Sequence, residues 1–84
     1  MKVDTNAETV EVEYETTRGN ETRLKGEVEE IHTKDAMFGD GQKVQAVDFT
    51  VPSGELYRVQ HTGAVRHQND SGFRTVGYKG EVSN

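Results

Sequence analysis

Three histidines, His32, His61 and His67, are the imidazoles this chain offers for acid–base or metal chemistry. A catalytic zinc needs about three converging ligands and an open position. Neither a His-x-His nor a His-Glu-x-x-His spacing is present, so the three read as surface or strand-edge imidazoles. There is no cysteine, which excludes disulfides, thiolate nucleophiles and Cys-based zinc sites. Serine occurs only at Ser53, Ser71 and Ser83, two of them in turn-like stretches and one near the C-terminus. No Gly-x-Ser-x-Gly elbow or phosphate-binding glycine loop accompanies them. Asp35, Asp40 and Gly41 lack the alternating oxygen ligands and terminal Glu of an EF-hand and read as a turn. The adjacent carboxylates Glu29 and Glu30 carry no sign of burial. This inventory predicts a non-enzyme with no catalytic residue, metal or cofactor.

The remaining constellation is basic and C-terminal. Arg58, His61, Arg66, His67 and Arg74 fall among the last strands, with Tyr57, Phe73 and Tyr78 close by in sequence. Small β-domains hold single-stranded nucleic acid with such groups: guanidinium meets phosphate, and rings stack on bases. The candidate anion- or nucleic-acid-binding set is therefore Arg58, His61, Arg66, His67, Arg74 and Tyr78. Within it, His67 is expected opposite Arg74, and two positive groups placed together call for an anion or solvent.

These side chains need strands to position them. Residues 43–62, KVQAVDFTVPSGELYRVQHT, read as one long β-hairpin around Pro52-Ser53-Gly54. Proline presets the first turn residue, and glycine takes the left-handed conformation that ends a three-residue loop. The predicted pairs are Val51 with Glu55, Thr50 with Leu56, Phe49 with Tyr57, Asp48 with Arg58, and Val47 with Val59. Alternation then puts Val47, Phe49, Val51, Tyr57 and Val59 on one face and the Asp48–Arg58 ion pair on the other.

Upstream, ETVEVEYET alternates strictly, with Val10, Val12 and Tyr14 on one face. A loop at Arg18-Gly19-Asn20 predicts Tyr14 opposite Leu24, Val12 opposite Gly26, Glu15 opposite Arg23 and Glu13 opposite Lys25. Gly26 is expected at a bend and Glu29-Glu30 at a bulge. A helical turn is expected at Ala36-Met37-Phe38, and a turn at Gly39-Asp40-Gly41. Downstream, a four-residue turn Asn69-Asp70-Ser71-Gly72 predicts Gln68 opposite Phe73, His67 opposite Arg74, Val65 opposite Val76 and Gly63 opposite Tyr78.

The chain length fits one β domain over residues 1–84, with 1–7 and 80–84 as flexible tails. Eleven valines against two leucines and one isoleucine favour strands. The prediction is all-β: a single small antiparallel meander of about six strands, as a curled sheet or a barrel that removes the exposed edges. Net charge is −5, concentrated in residues 1–41, where eleven acids face five bases. No apolar run approaches the about 20 residues of a membrane helix, and no signal-peptide segment is evident, which predicts a cytoplasmic protein with no membrane partner.

Abundant Glu, Asp, Val and Thr with scarce Ile and no Cys resemble the composition of proteins from salt-loving archaea. That resemblance implies acidity as an adaptation to salt. Residues 21–31, ETRLKGEVEEI, resemble the second strand of Sm-like barrels, where a glycine marks the bend and apolar residues follow. This implies a small SH3-like or Sm-like barrel. The RNA-binding residues of that family have no clear counterpart here, and none is carried over. The functional expectation is a non-catalytic acidic β-domain serving as a protein-interaction module, for a protein partner or a second copy. The alternative is a nucleic-acid-binding accessory protein using the basic C-terminal face.

Overall fold

A computed structural model describes residues 3–35 and 41–83, with Gln42 described by its backbone alone. Six strands follow in chain order: β1 (Thr9–Thr16), β2 (Glu21–Asp35), β3 (Gln42–Thr50), β4 (Leu56–Gln60), β5 (Val65–Asn69) and β6 (Gly72–Ser83). Each pairs antiparallel with the next, and β6 returns to pair with β1, so the meander closes into a barrel. The predicted helical turn at 36–38 and the first two residues of the turn at 39–41 lie outside the described residues. No helix among the described residues is long and apolar enough to cross a membrane.

The β3–β4 hairpin has the predicted register at every pair from Thr50–Leu56 to Val47–Val59. Val51 N–H donates to the Glu55 carbonyl at 3.0 Å, closing the loop. Val47, Phe49 and Val59 are fully buried and form the core with Val10, Val12 and Val65. The bulge expected at Glu29-Glu30 is present: Val28 pairs with Phe49 and Glu30 with Asp48, leaving Glu29 as the extra residue.

The β1–β2 register differs from the prediction by two residues. Tyr14 pairs with Thr22, Val12 with Leu24, Val10 with Gly26, and Glu13 with Arg23. The loop still holds three residues, 17–19, with Thr16 N–H donating to the Asn20 carbonyl at 2.7 Å. An even shift keeps every side chain on its face. The cause lies in strands outside the hairpin. Tyr14 lies against Gly77 of β6, where a Cβ would come within 2.3 Å of its ring. Gly26 lies under β3, where a Cβ would come within 2.4 Å of the Thr50 carbonyl oxygen.

In the β5–β6 hairpin, Gln68–Phe73 and His67–Arg74 pair as predicted. The turn is tighter, because Asn69 and Gly72 also pair, leaving Asp70 and Ser71 between them. A register shift past Arg66–Thr75 moves Val65 opposite Gly77 rather than Val76. Gly63 accepts from the Gly80 amide at 2.8 Å, so its neighbour is Gly80 and not Tyr78. Residues 80–83, read as part of a tail, belong to β6, and Val82 pairs with Val12.

Gly26 is the tightest test of this closure. Gly26→Ala forces a methyl against Thr50 and Phe49, an overpacking cost of about 2 kcal/mol. Urea unfolding should show the midpoint falling with an unchanged m-value. A variant within 0.5 kcal/mol of the parent, on the order of the error of such measurements, would show that β2 and β3 do not approach this closely.

Candidate functional site

The basic constellation does not assemble into one surface. Arg58 and Arg66 are directly opposed on the outer face of β4 and β5. His67 pairs with Arg74 on the opposite face parity, near the barrel rim. The His67 ring stacks on Tyr57 at 4.7 Å between centroids, and Tyr57 stacks on the core residue Phe49 at 5.9 Å. Glu55 Oε1 lies 3.6 Å from His67 Nε2. His61 lies exposed in the β4–β5 turn, at the other end of the barrel. Tyr78 is 55% exposed and pairs with Glu15 on the acidic side.

Arg58 is committed within the fold. Its Nε donates to Asp48 Oδ1 at 2.7 Å and its Nη2 to Oδ2 at 3.0 Å. The guanidinium also covers the Phe73 ring, 4.1 Å from its centroid. His32 on β2 approaches the same carboxylate, with Nε2 2.9 Å from Oδ2, so the Nε2 proton is the donor. Asp48 is only 5% exposed although it lies on the outer face. Burial alone would raise its pKa. Hydrogen bonds from Arg58 and His32, with their charge, outweigh that and hold the carboxyl below the usual carboxylate range. The Asp48 hydrogen bonds in turn push Arg58 up, against the effect of its own burial.

Glu30, His32 and Asp48 bring ligand atoms within 4.8 Å of one another, a spacing a metal could bridge. Arg58 Nη2 lies 3.3 Å from His32 Nε2, so a guanidinium already provides the cation beside these groups. The arrangement is an ion-pair clip across β2, β3 and β4. Its Asp48–Arg58 half was legible in the sequence. The His32 contribution was not, because it depends on the Glu29 bulge that sets the β2–β3 register.

A second feature lies on the β1–β2–β6 side. Glu13 pairs with Glu81 and Glu15 with Tyr78, so Tyr14 faces a stretch of β6 with extra residues. Within this bulge Lys79 has φ +58°, a left-handed conformation uncommon outside glycine. The bend opens a groove of about 660 Å³ lined by Glu13, Glu15, Glu21 and Glu81, with Tyr14, Arg23 and Lys79. Arg23 bridges Glu11 at 2.9 Å and also contacts Glu13, and Lys79 holds Glu15 at 3.1 Å. Two cross-strand pairs are nonetheless acid against acid, Glu13–Glu81 and Glu15–Glu21. Like charges directly opposite one another destabilise a sheet. Glu21 and Glu81 have no cationic partner among the described residues. The Tyr14 ring belongs to the core, and burial, with a smaller contribution from Tyr57, raises its pKa.

The fold and these surfaces define a small closed antiparallel β-barrel with an acidic groove on one side and an ion-pair clip on another. Comparison with models of known families, with curated proteins and with solved structures finds no match to this chain.

The clip makes a pH-dependent contribution of known sign. Asp48's folded pKa is depressed, so its stabilisation is present above the unfolded value of about 3.9 and is lost as pH falls through the folded value. Asp48→Asn should cost on the order of 3 kcal/mol at neutral pH, with Arg58 left half-buried and unpaired. The gap from the parent should narrow as pH drops below about 4. Denaturant titrations of both proteins at several pH values measure it, and a constant gap at all pH values would remove the carboxylate from the explanation.

Proposed function

We propose that this chain is a non-catalytic interaction module of the cytoplasm, holding a Lys- or Arg-bearing segment of a partner protein in the β1–β2–β6 groove. The observation that carries this is the pair of acid-against-acid contacts, Glu13–Glu81 and Glu15–Glu21, inside one concave surface. A cationic side chain between such carboxylates relieves repulsion that the free protein bears, so charge complementarity and shape favour the same occupant. Nucleic acid is the lesser reading. Arg58 is bound by Asp48, Phe73 is covered by Arg58, and the Tyr57 ring contacts Phe49 on one side and His67 on the other. Association of two copies through strand edges has little support, because barrel closure pairs every strand on both sides.

A short lysine-rich peptide should bind saturably at low salt and weaken as salt rises. Glu21→Gln with Glu81→Gln should reduce that affinity at least about tenfold, measured by calorimetry. Equal binding by parent and double variant would overturn the groove as the site.

The same carboxylates support the salt-adapted origin that the composition implies. Screening at about 1 M KCl shortens the range of repulsion to about 3 Å. The thermal midpoint of the parent should therefore rise between low and high KCl, and rise less in the double variant. Equal increments would show that these pairs do not carry the salt dependence.

A further inference from the structure

On the outer face of β4 and β5, Arg58 and Arg66 are directly opposite each other. Like charges in that position repel across about 5 Å unless each is answered. Arg58 is answered by Asp48 through two hydrogen bonds. The Arg66 side chain has no ion-pair or hydrogen-bond partner among the described residues, and its Nε is shielded from solvent with no acceptor. A buried donor without an acceptor is rare and costly in a folded protein, more so on a cation. Arg66 is half-buried, and among its side-chain nitrogens it is Nε that is shut off from both solvent and acceptors. Across β5 on the other side, the residue opposite Arg66 is Thr75, whose hydroxyl is likewise unpartnered. Asp48 takes the Nε and Nη2 donors of Arg58, which leaves Nη1 unassigned.

We infer that Arg66, with Thr75 and the free edge of Arg58, forms a binding site for a phosphate group. The register sets Arg58, Arg66 and Thr75 side by side on three neighbouring strands, so two arginines and a hydroxyl residue share one stretch of the outer face. Convergent donors on separate strands suit a tetrahedral oxyanion with several acceptor atoms, and arginine's planar fork suits bidentate contact with it. Asp48 and Phe73 hold Arg58 in place, so this half of the site is fixed before any ligand arrives. The site differs from the expected His67–Arg74 anion site, where Glu55 approaches His67. It shares only β6 with the acidic groove, with Thr75 at a different place along that strand from Lys79 and Glu81, and it does not rest on the proposed function.

The test is a titration with inorganic phosphate followed by ¹H–¹⁵N NMR, which observes arginine Nε–Hε groups directly. The Arg66 Nε–Hε and Thr75 amide signals should move saturably with one dissociation constant, and chloride at matched ionic strength should leave them in place. Arg66→Gln should abolish the Thr75 shift, Thr75→Val should weaken phosphate at least threefold, and Arg74→Gln should bind as the parent does. A short single-stranded oligonucleotide forms the second arm. Equal affinity per phosphate identifies the lone group as ligand, whereas tighter binding with shifts spreading to His67 and Arg74 identifies a polymer backbone. Shifts that chloride reproduces, or a Thr75 response that survives Arg66→Gln, would overturn the site.

Discussion

Closure of the barrel, in which β1 pairs with β2 on one side and β6 on the other, is the constraint on which the other features depend. Six strands can only close if they coil strongly, and this chain coils them with extra residues and glycines. The Glu29 bulge turns β2 across β3, and the bulge opposite Tyr14 turns β6 across β1. Gly26 and Gly77 lie where side chains or backbone of the neighbouring strand come too close for a Cβ. Each device used for closure also shapes a surface. The β6 bulge opens the acidic groove, and the β2 bulge brings His32 onto Asp48.

How much of this could be read from the sequence depends on how local its determinants are. The β3–β4 register was legible because Pro52 and Gly54 fix the turn and three pair types agree on one alignment. The β1–β2 register was not. Within that hairpin alone, opposing Glu15 with Arg23 looks best, yet Arg23 finds Glu11 and Glu13 while Glu15 is taken by Lys79 from β6. The deciding contacts, Tyr14 on Gly77 and Gly26 under Thr50, join strands far apart in the chain. For the same reason the tail was misread: residues 80–83 hold a single apolar side chain, Val82, and it is their pairing with β1 that makes them strand. The basic set was visible as composition, but the division of Arg58 and Arg66 from His67 and Arg74 follows from strand parity and only then becomes a statement about sites.

The charge distribution follows from the same geometry. A thin core of valines around one phenylalanine leaves most of each strand's outer face to polar residues. On β1, β2 and β6 these are largely glutamates, and closure forces two pairs of them together. On β4 and β5 they are arginines, one neutralised and one not. Among the described residues the barrel thus carries, on different strands, an acidic surface in which Glu21 and Glu81 lack a cationic partner and an arginine whose Nε lacks an acceptor.

Asp48 explains why such a small core still specifies one arrangement. A buried ion pair is a weak source of net stability, since desolvation offsets most of the attraction. Its value here is in register. Sliding β3 by one residue against either neighbour would turn Asp48 into the core and Phe49 outward, with Arg58 and His32 left unpaired. Valines tolerate such a slip in volume, because Val47 and Val51 have shape equivalents all around the barrel. A carboxylate held from both sides, by Arg58 of β4 and His32 of β2, does not. The clip therefore excludes misregistered barrels that the valine core alone would admit, and in doing so it fixes the position of the arginine that borders Arg66.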